Sequence, residues 1–300
     1  MIGGTIGGDR PMLKTQHGRI LTKARKKVGY LTALLIFLLL TLGPFLWTFI
    51  LSVTPEYAML EKTPGLLPET VTFDNYRELL AADTPRGGLL ITGIGNAIKA
   101  VCAALTLGIP VSMLTAYTLS RMEFCGRRLI RNLLLITMVI PVMATIIPLY
   151  RLFVARQWLN DVFWLSMVYV SSYLPLTTWL MSNYFATFPK ELEEAARIDG
   201  CGWLSSFLRI ILPASYPIIL SAALIMFLNT WSQFQIPLIL ASSLETKPVA
   251  IVVSEFMTKD SIQYGLTAAA GIIAVFPPAL AALVFRRFLI SGMMNGSVKG

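Results

Sequence analysis

Long apolar segments recur along the chain, and short polar segments separate them. Each apolar segment is about 20 residues long, the length at which an α-helix crosses about 30 Å of hydrocarbon. Helices are the elements to expect, because a backbone N–H or C=O group left unpaired in lipid costs several kcal/mol. The pattern predicts six transmembrane helices, at about residues 30–53, 90–119, 132–150, 162–184, 214–241 and 266–285.

Two polar residues, Asn96 and Lys99, make the second predicted helix the least regular of the six. Lys99 is the sole charged residue inside a predicted span, and its long side chain can extend to the outer interface. We expect kinks where prolines interrupt the spans, at Pro44, Pro110, Pro141, Pro148, Pro175, Pro237, Pro277 and Pro278.

The composition agrees with a membrane protein. Of the 300 residues, 55% are hydrophobic and 14% are charged, against about 25% charged residues in soluble domains. We therefore predict one all-α integral membrane domain over residues 28–300. It follows a basic tail, residues 1–27, which we expect to be flexible and to touch anionic lipid.

Basic residues set the expected orientation, because lysine and arginine resist translocation. Most of the 25 lysines and arginines lie in the N-terminal tail, the loop after the second span, the loop before the fifth span and the C-terminus. This asymmetry predicts that both termini are cytoplasmic. It also accounts for the net charge of +9 without nucleic acid as a partner.

Two segments fall on the predicted external side, residues 54–88 and residues 242–265. The first contains a short helical candidate at residues 74–82, set among prolines and glycines that favour turns. Each segment either meets another protein or simply connects two spans.

The chain lacks the residue sets of several kinds of active site. Its single histidine, His17, lies in the tail, and its cysteines show no metal-ligand spacing; they are Cys102, Cys125 and Cys201. No aspartate or glutamate lies within a predicted span, which disfavours an intramembrane enzyme and an ion-coupled carrier. A phosphate-binding loop ends in Gly-Lys followed by serine or threonine. The Lys-Thr pairs of this chain lack the preceding glycine pattern, so no ATP site is expected in it.

One charged loop, with the sequence FPKELEEAARIDGCGWLSSFLRIILP, precedes the fifth predicted span. Pro189 and the acidic residues after it favour the start of a helix. Gly200 is expected to end that helix at positive φ. Ala195 and Ala196 are expected to leave one side of the helix bare, with apolar residues beside it. A second short helix carrying Phe207, Ile210 and Leu212 should follow, and Pro213 should begin the next span.

This loop resembles, position by position, the EAA pattern of permease subunits in binding-protein-dependent ABC importers. The matching residues are Glu194, Ala195, Ala196, Gly200, Ile210, Leu212 and Pro213. The resemblance extends to VTFDNYRELL, AYTLSRMEFCGRR and SGMMNGSVKG elsewhere in the chain, which are similar to the carbohydrate-uptake branch with its maltose and trehalose permeases. It implies a type I ABC importer (MetI-like) permease fold with six spans, in a bacterial or archaeal cytoplasmic (inner) membrane.

The resemblance also implies partners for this loop, which covers about residues 186–213. Family members dock the loop in a cleft on a dimeric cytoplasmic ATPase, which binds ATP and Mg²⁺, so no cofactor is expected in this chain. A second homologous permease and an extracytoplasmic sugar-binding protein complete the implied assembly. Asp199 joins the seven matching residues as a candidate for coupling to the ATPase, and Glu194 is expected to meet a basic residue there. The alternative is a loop that packs only on its own helices.

The substrate implied by the resemblance is a neutral di- or oligosaccharide such as trehalose or maltose. Polar and aromatic residues of the fourth and fifth spans could line its pathway: Tyr173, Asn183, Asn229, Trp231 and Gln233. Such residues also serve as interfacial anchors or bond neighbouring helices. An ABC permease for a non-sugar solute such as glycerol phosphate, or an ion-coupled secondary transporter, is the alternative function.

Overall fold

The computed structural model describes residues 12–59, 67–257 and 263–294, with side chains described over 26–59, 67–257 and 263–288. Every regular element in these ranges is helical. The α-helices are α1 (Met12–Ser52), α2 (Glu56–Met59), α3 (Asp74–Leu80), α4 (Pro85–Arg121), α5 (Arg127–Val139), α6 (Val142–Arg156), α7 (Val162–Thr187), α8 (Lys190–Ile198), α9 (Trp203–Ser206), α10 (Leu212–Ala214), α11 (Tyr216–Trp231), α12 (Gln235–Leu240), α13 (Val249–Glu255) and α14 (Tyr264–Met294). A π-helical turn, Phe207–Ile211, joins α9 to α10.

The first helix begins at Met12, well before the predicted span. Residues 12–27, predicted as an unstructured tail, are therefore helical, since lysine, arginine, leucine and methionine are good helix formers; residues 1–11 lie outside the described residues. Over residues 26–53 most side chains are exposed, with Leu40 at 74%, and burial begins only at Ser52 and Val53. This part of α1 thus packs on the rest of the chain mainly through its C-terminal end.

Within the part of the chain that the structure describes, three helical segments are long and apolar enough to cross a membrane: Lys26–Ser52, Pro85–Arg121 and Tyr264–Phe288. The predicted span at 132–150 is instead two helices, α5 and α6, which meet at 97°. Ile140 is extended between them, with φ −69° and ψ 120°, because a residue followed by proline avoids the helical conformation.

The predicted span at 214–241 is also interrupted. The stretch Trp203–Ala214 meets α11 at 76°, and residues 232–234 separate α11 from α12. Counting each bent pair as one span gives up to five membrane-crossing segments among the described residues. The 26-residue helix α7 matches the fourth predicted span, but it is not among these five.

The centre of the fold is the pair α4 and α7, which pack along much of their length. A small residue lets α11 approach α4 as well: Gly108 leaves room for Met226 of α11, and a Cβ atom there would lie 2.7 Å from its Sδ. The buried hydroxyls of Ser112 and Thr177 are 2.7 Å apart across the helix pair.

Residues 67–88 of the predicted external segment fold over the end of α1. Helix α3 of this segment confirms the candidate at 74–82, and Tyr76 bonds Ser52 at 2.7 Å. The Glu56 carboxylate accepts from the backbone N–H groups of Tyr264 and Gly265, at the start of α14. This segment thus fastens the end of α1 to the start of α14.

Candidate functional site

The charged loop before α11 begins with α8, whose two ends follow the sequence prediction. Pro189 directly precedes the first helical residue, and Glu191 and Glu193 lie in the first turn. Gly200 has φ +82°, and its N–H donates to the carbonyl of Arg197 at 3.0 Å. The N–H of Cys201 donates to the carbonyl of Ala196 at 2.9 Å, which completes a Schellman motif.

The second loop helix, residues 203–214, contains the π-helical turn that joins α9 to α10. It carries Phe207, Ile210 and Leu212 as predicted. The next span does not begin at Pro213 but at Tyr216, after the bend at Ser215. The sequence contains no signal for the π turn, because its residues, FLRII, suit an ordinary α-helix equally well.

The two faces of α8 differ in exposure. Glu193 and Ala196 are its only buried residues. Glu194, Ala195 and Ile198 are exposed, and Ile198 is 87% exposed. The expectation that Ala195 and Ala196 share one bare face is therefore wrong, because successive helical residues point about 100° apart.

The remaining residues of the EAA pattern lie along the same loop. Asp199, the C-cap residue of α8, is exposed, as are Gly200 and Pro213, whereas Ile210 and Leu212 are half-buried. The structure thus gathers the eight candidate coupling residues into one loop, with part of it facing away from the helix bundle.

A buried ion pair holds the inner face of α8. Nε of Arg121, the last residue of α4, lies 3.0 Å from Oε1 of Glu193, and the two side chains are only 7% and 9% exposed. The hydroxyl of Tyr117 donates to Oε2 of the same carboxylate at 3.3 Å. A second nitrogen of Arg121 donates to the carbonyl of Phe188. One guanidinium group therefore binds both the start of the loop and α8.

Aromatic packing joins the second loop helix to the same point. The ring of Tyr117 lies 4.7 Å from that of Phe207 and 6.0 Å from that of Phe185. All three belong to a buried apolar cluster that also includes Met181 and Ile211. The C-terminal end of α4 thus contacts both loop helices as well as α7.

The same end of α4 is held from the other side by α5. The Arg127 side chain donates to the carbonyls of Leu119 and Ser120 at 2.8 and 3.1 Å. Arg131 also donates to the carbonyl of Leu119, at 2.9 Å. Because the last carbonyls of a helix lack intrahelical partners, these arginines stabilise the end of α4.

Sequence reasoning missed this anchoring group. It counted Arg121 only among the basic residues that set orientation, and it gave Glu193 no contact with the helix bundle; the predicted contact of Glu194 with the ATPase is a separate expectation. The available signal was weak: Glu193 and Ala196 are three residues apart and so share a helix face, but the partner residues lie far away in the sequence.

The structure brings together three of the five candidate pathway residues. Gln233 Nε2 donates to the Tyr173 hydroxyl at 2.7 Å, and that hydroxyl donates to the carbonyl of Asn229 at 3.1 Å. Trp231 is instead buried, and its Nε1 donates to the carbonyl of Ala274 at 3.0 Å. Asn183 is exposed and lies about 15 Å from Tyr173 along α7, at 1.5 Å per residue.

Comparison with known proteins adds evidence from outside the chain. Residues 108–295 match the sequence model of the family described as binding-protein-dependent transport system inner membrane component. This range includes the charged loop and all the candidate pathway residues.

Several characterised relatives match over most of their length. The trehalose/maltose transport system permease protein MalG of Thermococcus litoralis is 28% identical over 92% of this chain and 98% of its own. The trehalose transport system permease protein SugB of Mycobacterium tuberculosis is 31% identical over 86% of this chain and 92% of its own. The diacetylchitobiose uptake system permease protein DasC of Streptomyces coelicolor is 26% identical over 90% and 95%.

A solved structure shares the fold. A chain of a bacterial ABC transporter that imports the acidic polysaccharide alginate aligns with a TM-score of 0.75 and 20% identity, over 88% of this chain and 97% of its own. A chain of the alginate transporter in complex with an alginate pentasaccharide-bound periplasmic protein aligns with a TM-score of 0.61 and 17% identity, over 89% and 97%.

Proposed function

This chain belongs to the family of binding-protein-dependent transport system inner membrane components, and we propose that it forms half of the translocation pathway of an ATP-driven sugar importer. Its characterised relatives are non-catalytic permease subunits. In this proposal ATP is bound and hydrolysed by a pair of cytoplasmic ATPase subunits, and a second homologous permease supplies the other half of the pathway. An extracytoplasmic sugar-binding protein delivers the substrate.

The observation that carries this proposal is the two-sided construction of the charged loop. Its inner face is fixed to α4 by the buried Arg121–Glu193 pair, while Glu194, Ala195 and Ile198 point outward. A small side chain at Ala195 permits close approach of another backbone, and an exposed Ile198 favours an apolar contact. These features support docking of α8 in a cleft of the ATPase.

In this proposal the chain crosses the membrane six times. The three long helical segments, the two bent helix pairs and α7 each cross once. The 76° bend before α11 then lets residues 203–214 lie along the cytoplasmic membrane surface. The placement of basic residues supports cytoplasmic termini. It puts the charged loop on the same side as the ATPase.

The substrate proposed is a neutral di- or oligosaccharide, such as trehalose or maltose. The Tyr173 hydroxyl and the Gln233 side-chain amide bond each other, and Asn229 contributes its backbone carbonyl. Hydroxyl and amide groups bond sugar hydroxyls without requiring a charged ligand. The names of the relatives include trehalose, maltose and diacetylchitobiose permeases. An anionic substrate such as glycerol phosphate would call for basic side chains at this point in the pathway.

Uptake by reconstituted complexes tests the power source. The chain is co-expressed with its adjacent permease, ATPase and binding-protein genes, purified, and placed in proteoliposomes. We expect one copy of this chain, one second permease and two ATPase copies by native mass spectrometry. Sugar uptake should require internal ATP and persist when an uncoupler collapses the proton gradient. Uptake that stops with the uncoupler at constant ATP would favour an ion-coupled carrier instead.

A further inference from the structure

The attachment of α8 to the bundle is unusually narrow. Of its side chains only Glu193 and Ala196 are buried, and Ala196 offers one methyl group. The ion pair with Arg121 is therefore the main side-chain link between α8 and the membrane helices. The ion pair attaches α8 to α4. Farther along its length, α4 packs closely on α7, where Ser112 and Thr177 make a buried contact.

The geometry of the link resists displacement in more than one direction. Arg121 forms an ion pair with Glu193 through Nε, and another nitrogen of the same planar group donates to the carbonyl of Phe188. Tyr117, one turn earlier on α4, donates to the second carboxylate oxygen while its ring packs on Phe207. Directional bonds of this kind fix orientation, whereas apolar contacts alone can slide.

Stability alone does not explain a buried ion pair at this position. Removing two charges from water offsets most of their attraction, and replacing such a pair by apolar residues often leaves a protein as stable as before. A buried pair can instead fix the relative position of the two elements that it joins.

We propose that Arg121 and Glu193 are positioning residues that pass the displacement of α8 to α4 when the ATPase subunits close. This proposal rests on the proposed function of the loop. When the pair is intact, α8, the start of the loop and the end of α4 move as one body. When it is absent, α8 stays docked on the ATPase but slips relative to the membrane helices.

A double substitution separates positioning from folding. Arg121→Met with Glu193→Met replaces the two charged side chains by unbranched apolar ones, which leaves no unpaired buried charge. Two further variants complete the series. One is Glu193→Gln, and the other exchanges the two charges, Arg121→Glu with Glu193→Arg. Glu191→Gln, an exposed acid on the same helix, is the matched control.

The readouts are complex yield, the KM for ATP, and the stimulation of ATP hydrolysis by sugar-loaded binding protein in proteoliposomes. We expect the Met/Met complex to assemble at the wild-type level with an unchanged KM for ATP, and to lose at least about tenfold in stimulation, within the range of allosteric coupling. Fewer sugars should be carried per ATP hydrolysed. The exchanged pair should recover part of the stimulation, and Glu191→Gln should behave as wild type.

Two results would overturn the proposal. Wild-type stimulation in the Met/Met complex would show that α8 needs no charged link to α4. Failure of that complex to assemble, with rescue of assembly and stimulation together by the exchanged pair, would assign the pair to folding. A wild-type complex without ATP-driven uptake would instead overturn the proposed function, so the two failures are distinguishable.

Discussion

Glu193 and Glu194 are adjacent in the sequence but have different environments: Glu193 is buried against Arg121 at 3.0 Å, whereas Glu194 is exposed. A helix that contacts a bundle on one face and a partner on the other requires such a division. The two acids should accordingly respond to substitution in different ways.

Glu194→Lys should abolish the stimulation of ATP hydrolysis while the chain remains inserted and folded. The change places a like charge against the basic residue expected on the ATPase, which costs several kcal/mol at an interface. Pull-down of the ATPase with this permease should weaken in parallel. Glu194→Gln, which removes charge without reversing it, should be milder, and wild-type stimulation in Glu194→Lys would contradict docking through this face.

Gly200→Val should also impair coupling, through backbone strain. The residue has φ +82° with no heavy atom within 4 Å of an added Cβ, so the cost is conformational, about 1–2 kcal/mol for an L-residue. Gly202 is the matched control, because it too has open space around it but an ordinary φ of −68°. Gly202→Val should keep wild-type stimulation; equal effects at both glycines would be inconsistent with this explanation.

Gly93→Ala should lower thermal stability in detergent. An added Cβ would lie 2.8 Å from Val252 Cγ2 and 3.3 Å from the Val249 Cα, and such overpacking costs about 1–3 kcal/mol. Gly95, two residues along α4, has nothing within 4 Å of that position. Gly95→Ala should leave the apparent Tm unchanged or slightly raised, and a drop equal to that of Gly93→Ala would refute close packing as the cause.

The candidate pathway residues should divide into two groups. Tyr173→Phe and Gln233→Leu break the bonded cluster and should change the KM for sugar uptake with little loss of stability. Trp231→Phe leaves the carbonyl of Ala274 without its donor, at a cost of about 1–3 kcal/mol if that group stays buried. It should lower thermal stability and leave the KM unchanged. A KM unaffected by all three changes would place the sugar elsewhere.

Asn160 should matter through both its backbone and its side chain. It has φ +57°, and its Oδ1 accepts from the backbone N–H groups of Ser242 and Ser243 at 2.7 and 2.9 Å. Asn160→Gly keeps the backbone conformation and loses the bonds, whereas Asn160→Ala loses both. Thermal stability should fall in the order Asn, Gly, Ala; equal stability of the two variants would show that backbone strain contributes nothing.

Local signals predicted the parts of the fold that depend on neighbouring residues. Proline and acids at the start of α8, and Gly200 at its end, act within one turn, so both ends of α8 were predictable. Pro141 was an expected kink, and the chain bends next to it by 97°. The size of that bend depends on how α5 and α6 pack, which no single residue determines.

The anchoring of the loop could not be predicted in the same way. Arg121 and Glu193 are far apart in the sequence and interact only in the folded chain. Local sequence alone does not tell whether Glu193 or its neighbour Glu194 faces the bundle. Helix phase decides between them, because Glu193 shares a face with Ala196 and with the bundle. Trp231 was predicted as a possible substrate contact because it lies among polar and aromatic residues of the fifth span. Its indole N–H instead donates to a carbonyl of α14.

The π-helical turn at Phe207–Ile211 gives this loop one place where a residue can be lost. The N–H of Leu212 donates to the carbonyl of Phe207, five residues earlier, so the turn holds one residue more than an α-helical turn. Deleting one residue within the turn would restore a regular α-helix and leave the helical residues on either side in phase. Phe207 and Ile211 would then be three positions apart and would still share the face that is buried in one cluster. A deletion in the regular helix α11, by contrast, would rotate everything after it by about 100°.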